Sequence, residues 1–353
     1  MSAALRLDAP RRIAIVMLSA LGDAVHALPV VNALKRKWPR AELTWVIQPV
    51  PHQLVRHQPA VDHFIVFQRR RGVRGAKAFL ELRRQARGRR FDLLLDLQVY
   101  FKAGIITALL DAPVKLGFDR ARARDLNWLF TTHRIAPHPV QHVQDQYFEF
   151  LHHIGVDPEP VEWSIVITPE ERAAQREFFE ALDRPACAVV LGTSRAAKNW
   201  PAERYARALE HVYERHGLQP VVVGGPSAGE REVAEAVLRL ARVPIRKALG
   251  DSVRRLIWLL DGSRLVLSPD TGPLHVARAL DRPLVGIYGY TNPRRHGPYR
   301  RPGAIVDGYA RYPGEPYPAS MEYRPDGMAR IPVEAVTAKV DEVMSTTLPE
   351  LAG

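Results

Sequence analysis

The sequence predicts an α/β protein built as two successive halves. Three observations carry this. Short apolar runs of strand length alternate with segments whose apolar residues return at helical spacing. The alternation stops at a proline-rich, acidic stretch, DPEPVEWSIVIT at 157–168, and then restarts. Finally, the apolar runs feed loops of one kind, SALGDAVH in the first half and LGTSRAAKNWP and SPDTGPLH in the second. Buried parallel strands read as continuous apolar runs of this sort, and their carboxyl ends are where an open sheet binds its ligand.

In the first half, RIAIVML at 12–18 is a strand, SALGD a loop, and AVHALPVVNALKRKW a helix stopped by Pro39. AELTWVIQP and VDHFIVF supply further strands, with a short polar helix between them. Within the basic stretch 68–91, AFLELRRQAR has the narrow apolar stripe of a surface helix. FDLLLDLQ and VKLGF are strands again, and the segment that follows mixes loop with short helices. The reading places a first domain at residues 1–165, a second at 166–331 and a terminal helix in 332–353, the last expected to return to the first domain.

The second half opens with the helix PEERAAQREFFEAL and continues through ACAVVLG, PAERYARALEHVYERHG, QPVVVGGP, AGEREVAEAVLRLAR and SVRRLIWLLDG. It culminates in residues 264–289, RLVLSPDTGPLHVARALDRPLVGIYG, a strand, tight turn, helix and strand. PDTGP forces the turn, Asp270 and Thr271 are preferred N-cap types, and Pro273 suits a first helical turn. An anion is expected at that helix start. Free N–H groups and the helix dipole favour negative charge, Gly272 admits close approach, and His275 adds a donor.

Length and composition set outer bounds. The 353 residues, 46% hydrophobic and 25% charged, suit a soluble protein of two domains. A single cysteine, Cys187, excludes an internal disulfide framework and points to a reducing compartment, the cytoplasm. The apolar run near the start is broken by Asp23 and His26, so strand and helix are expected there in place of a signal or anchor. A formal charge of +12 points to polyanionic partners. Walker A, G-x-S-x-G and an initial G-x-G-x-x-G are all missing.

LGDAVHALPVVNAL, TSRAAKNWP and PDTGPLHVARALDRPLVGIYGYTNP together resemble the family 9 glycosyltransferases, the lipopolysaccharide heptosyltransferases. The resemblance implies a GT-B fold, two Rossmann-like domains facing each other across a central cleft, the first binding acceptor and the second a nucleotide-sugar. It implies inverting transfer of heptose from an ADP-sugar to the inner core of lipopolysaccharide. Position by position, it implies Asp23 as general base, Thr193, Ser194 and Lys198 as diphosphate contacts, and Asp270, Thr271, Gly272 and His275 as the nucleotide-sugar motif. Where that family carries a glutamate against the ribose, this sequence has Arg254. Other GT-B nucleotide-sugar enzymes, a different transferase or an epimerase, and a non-enzymatic polyanion binder stand as alternatives.

Asp23 also has an ordinary reading as the N-cap of the first helix. No clustered carboxylates suggest a catalytic metal, and His138, His142, His152 and His153 lack ligand-type spacing, so metal-independent turnover is expected. The basic run Arg69 to Arg90, with Lys102, Arg120 and Arg124, is expected to meet anionic acceptor or the cytoplasmic face of the inner membrane. Nucleic acid is not expected, since the aromatics that interleave basic residues in single-strand binders are missing.

Overall fold

A computed structural model describes residues 5, 7, 9–69, 73–193, 195–250 and 252–347. The chain divides into two compact units, Met1–Pro139 with Val143–Val166, and Val140–His142 with Ile167–Gly353.

The first unit runs β1 (Arg12–Val16), α1 (Leu21–Lys37), β2 (Glu42–Ile47), α2 (Pro49–Val55), β3 (His63–Val66), α3 (Val73–Gln85), β4 (Leu93–Asp96), α4 (Phe101–Leu109), β5 (Val114–Gly117), β6 (His133–Arg134) and α5 (Val143–His153). Its strands form one sheet in the order β3-β2-β1-β4-β5-β6. Every pairing is parallel. Such strands are covered by helices on both faces, which is why Ile13 to Val16 and Leu93 to Leu95 are fully buried.

The second unit runs α6 (Pro169–Glu180), β7 (Ala186–Val190), α7 (Ala202–His216), β8 (Gln219–Val223), α8 (Ala228–Leu240), β9 (Arg246–Lys247), α9 (Val253–Asp261), β10 (Leu265–Pro269), α10 (Gly272–Ala279), β11 (Leu284–Tyr288), α11 (Pro293–His296), β12 (Ile305–Asp307), α12 (Gly327–Arg330) and α13 (Val333–Thr347). Its sheet order is β12-β11-β10-β7-β8-β9, again parallel throughout. Counted from β7, this is the same 3-2-1-4-5-6 order as in the first unit, the doubly wound arrangement. Strand order therefore reverses between β1 and β4, and again between β7 and β10. The loops leaving those strands flank a ready-made crevice in each unit.

Local sequence explains the elements. Tyr205, Ala208, Leu209 and Val212 put one buried stripe on α7, and Gly217 ends that helix at φ 64°, a left-handed position that suits glycine. Thr168 and Glu171 form a reciprocal capping box at the start of α6. A Cβ on Gly289 would sit 2.3 Å from the Met328 amide nitrogen, so the chain after β11 needs glycine to pass α12.

The terminal helix α13, expected to return to the first domain, packs in the core of the second unit. Val336, Val340 and Met344 lie in the same core as Leu209, Val212 and Val285, packed on α7 and β11 of the second unit.

Candidate active site

At the second unit's switch point, a single turn of 3-10 helix, Ala196–Lys198, follows the loop from β7 and aims Lys198 at the end of β10. Lys198 Nζ donates to Asp270 Oδ2 at 2.7 Å and to the Asp270 carbonyl at 3.2 Å. Thr291 Oγ1 donates to the same carboxylate oxygen at 2.6 Å, and His275 Nε2 stands 3.5 Å from Oδ1. Asp270 is buried, 7% exposed. Burial alone would raise its pKa. The hydrogen bond from His275 and the positive fields of Lys198, His296 and His275 outweigh that and hold the carboxyl far below the usual range. An ammonium has three donors, and among the described residues Lys198 uses two of them, both on Asp270.

The structure also refines the roles of its neighbours. Thr271 is the N-cap of α10, yet its hydroxyl makes no cap bond and turns to the Pro269 carbonyl at 3.2 Å and to Ser268. Gly272 is the first residue of that helix. Thr193 Oγ1 donates to the Arg195 carbonyl at 2.6 Å and accepts from the Arg195 amide at 3.2 Å, so it shapes the loop. Ser194 lies outside the described residues. Sequence reasoning missed Asn199, whose Oδ1 takes the Thr193 amide at 3.0 Å, and Thr291. Burial pushes the pKa of nearby His296 down to about 4, so it is neutral at pH 7.

At the first unit's switch point, Ala20 is the N-cap of α1, and Asp23 is the third helical residue, not the cap. Its Oδ2 reaches back to the Ala20 amide at 2.8 Å. The segment before it is held by Gln98 from the end of β4, whose Oε1 takes the Leu18 amide at 3.2 Å while Nε2 donates to the Ser19 carbonyl. Buried Asp96 anchors that glutamine, accepting from the Gln98 amide at 3.2 Å, Thr107 Oγ1 at 3.0 Å and Asn127 Nδ2 at 3.0 Å. Burial raises the Asp96 carboxyl to about 7 against these hydrogen bonds.

His26 is fixed by Gln144 of α5. The Gln144 Nε2 donates to the His26 carbonyl at 2.9 Å, which leaves Oε1 to face His26 Nδ1 at 3.1 Å. An amide oxygen only accepts, so Nδ1 carries the proton.

The basic run separates into two places. Lys102 and Arg69 lie close enough that burial first, then the Arg69 charge, lower the Lys102 pKa, and both follow strands at the carboxyl edge. Arg120 and Arg124 follow β5 at that edge, with the Arg120 guanidinium 4.5 Å over Trp128. In contrast, Arg83, Arg84, Arg87, Arg89 and Arg90 line a groove of about 670 Å³ with Leu80. Arg90 bridges Asp111 just before β4 and β5 begin, so this groove lies at the amino edge, away from Asp23. Arg70 and Arg71 lie outside the described residues.

Arg254 is 5% exposed and forms a fork with Glu171, Nε to Oε1 at 2.7 Å and Nη2 to Oε2. Its charge is therefore met inside the second unit by the residue that also caps α6.

Two doubly wound units of one topology, each with strand-end loops at its switch point, are the domain architecture of the GT-B fold, to which many sugar transferases belong. Residues 79–314 match the profile of glycosyltransferase family 9 (heptosyltransferase). The chain is 31% identical, over 86% of its own length and 86% of the relative's, to the lipopolysaccharide core heptosyltransferase OpsX of Haemophilus influenzae. Among solved structures it is similar to the family 9 glycosyl transferase of Veillonella parvula, with TM-score 0.79, 23% identity and coverage of 96% of this chain and 97% of that one. It is also similar to the E. coli heptosyltransferase WaaC solved with ADP, with TM-score 0.73, 23% identity and coverage of 94% and 99%. The chain belongs to glycosyltransferase family 9.

Proposed function

We propose that this glycosyltransferase inverts the anomeric centre as it moves a heptose from an ADP-sugar onto the inner core of lipopolysaccharide. The observation that carries the reading is the meeting of Lys198 and Asp270 at the second unit's switch point, beside the first turn of α10. A cation that spends two of its three donors among the described residues, next to a helix start, suits a diphosphate. The sugar and acceptor follow the relatives, one named a lipopolysaccharide core heptosyltransferase and another solved with ADP.

In this mechanism Asp23 takes the proton of the acceptor hydroxyl as its oxygen attacks the anomeric carbon. The bond from that carbon to the diphosphate breaks, and its electron pair leaves on ADP. Lys198 and the α10 N-terminus stabilise that charge, so no metal is required of the donor site. Gln98 keeps the backbone before Asp23 in place. The acceptor's anionic groups meet Lys102, Arg120 and Arg124, on the same edge of the first unit. No helix among the described residues is long and apolar enough to cross a membrane, and the arginine groove is proposed to hold the protein on the cytoplasmic face of the inner membrane.

The test is Asp23→Asn assayed with ADP-heptose and core acceptor in chelator-treated buffer, beside a thermal-shift panel of nucleotides. Wild type should turn over without added metal and be stabilised more by ADP than by UDP or GDP. Asn still accepts from the Ala20 amide, so the variant should keep its melting temperature and ADP response while losing roughly 10²- to 10⁴-fold in turnover. Near-normal turnover removes Asp23 from the chemistry; strict dependence on magnesium or manganese overturns the metal-free step; preference for UDP overturns the donor.

A further inference from the structure

Two histidines of α7 and an aspartate of α13 converge on one point of the second unit. His211 Nε2 lies 2.7 Å, and His216 Nε2 2.6 Å, from the same oxygen, Asp341 Oδ1. One potential ligand atom from each residue falls within 4.8 Å of the others. The imidazole rings are splayed, with centroids 5.6 Å apart and planes at 65°, so they meet at their edges and do not stack.

The cluster stands apart from the donor site. Helix α7 starts just after Lys198 at the carboxyl edge and ends where β8 begins at the amino edge. At about 1.5 Å per residue, His211 and His216 lie roughly 14 and 21 Å along the helix from Ala202.

Both imidazole nitrogens can serve one carboxylate oxygen only if each carries a proton. A divalent cation replaces those protons, because two neutral imidazoles, each shifting its proton to Nδ1, and one carboxylate all offer it lone pairs. Around a tetrahedral ion with ligand distances of about 2.1 Å, ligand atoms sit about 3.4 Å apart, so each histidine–aspartate contact must open by less than about 1 Å. Room exists for that movement: the His211, His216 and Asp341 side chains are 28%, 13% and 46% exposed. The exposed side also leaves a coordination position for water. Two imidazoles and one carboxylate favour zinc-like transition metals over magnesium or calcium, which take oxygen ligands.

We propose that His211, His216 and Asp341 form a structural site for a divalent transition metal, fastening the C-terminal helix α13 to α7. Sequence alone gives no sign of it. The histidines are five residues apart, outside the usual helical ligand spacing, and Asp341 follows His216 by 125 positions.

The experiment uses the untagged full chain, stripped with chelator and dialysed, then titrated with Co²⁺ and back-titrated with Zn²⁺. A single saturating d–d absorption band, displaced by Zn²⁺, is expected. It should vanish in His211→Gln and in Asp341→Asn, and neither Mg²⁺ nor Ca²⁺ should displace it. Zn²⁺ should raise the melting temperature of wild type and not of either variant. Transfer rate should be the same with and without Zn²⁺, since the site lies at the other end of α7. A wild-type chain that shows no saturable band overturns the proposal, as does a band that survives in a folded His211→Gln/His216→Gln variant.

Discussion

Asp270 owes its charge to its neighbours, and this makes Lys198 a stability residue as well as a proposed ligand contact. The carboxylate is buried and accepts from both Lys198 and Thr291. Removing one partner of a buried pair leaves an uncompensated charge, at about 3–5 kcal/mol, whereas removing both partners together costs far less. Lys198→Ala should therefore melt well below wild type, and Lys198→Ala/Asp270→Asn should recover most of that loss. Affinity for ADP should recover in neither, because the ammonium is gone from both. Denaturant melts beside ADP titration check this, and ADP binding restored in the double variant would remove Lys198 from the donor site. Asp270, Lys198 and His275 were legible in sequence because loop chemistry marks them. Thr291, Asn199 and Gln98 were not, since an amide or hydroxyl gains its role from partners 21, 6 and 80 residues away.

Elements were legible wherever one local pattern decides them. Continuous apolar runs gave β1, β7, β10 and β11, and the PDTGP turn gave the start of α10. Their destinations were less so. An apolar stripe says that α13 must be covered but not by which core, and Val336, Val340 and Met344 choose the second unit. The basic run around α3 likewise reads as one face in sequence, whereas folding sends Arg69 to the carboxyl edge and Arg83 to Arg90 to the amino edge. That separation makes the membrane proposal testable apart from catalysis. Each basic residue near an anionic surface contributes about 1 kcal/mol. Arg83→Glu/Arg87→Glu should therefore abolish low-salt binding to vesicles containing anionic lipid, while transfer to a detergent-dispersed acceptor stays near wild type. Unchanged vesicle flotation would reduce the groove to a solubilising face.

At the scale of the whole molecule, the two units carry buried ionisable groups displaced in opposite senses by one cause. Burial disfavours charge, so Asp96 in the first unit rises to about 7 and His296 in the second falls to about 4. Between the unfolded carboxyl value near 4 and about 7, folded Asp96 holds a proton that the unfolded chain has lost, so its contribution is complete at low pH and disappears as pH rises. Between about 4 and 6.5 the unfolded chain protonates His296 while the folded unit does not, so that contribution is present at neutral pH and disappears as pH falls. At ~1.4 kcal/mol per pKa unit, the two effects are on the order of 4 kcal/mol for Asp96 and 3 to 4 kcal/mol for His296. His52 and His153 in the first unit are also lowered, by burial first, and work against Asp96 there. The measurement is accordingly a difference: melting curves of wild type, Asp96→Asn and His296→Gln from pH 4.5 to pH 8. Asparagine and glutamine do not titrate, so Asp96→Asn should gain on wild type as pH rises, and His296→Gln should gain on wild type as pH falls. Two variants that track wild type in parallel across this range would show that neither burial is felt in stability.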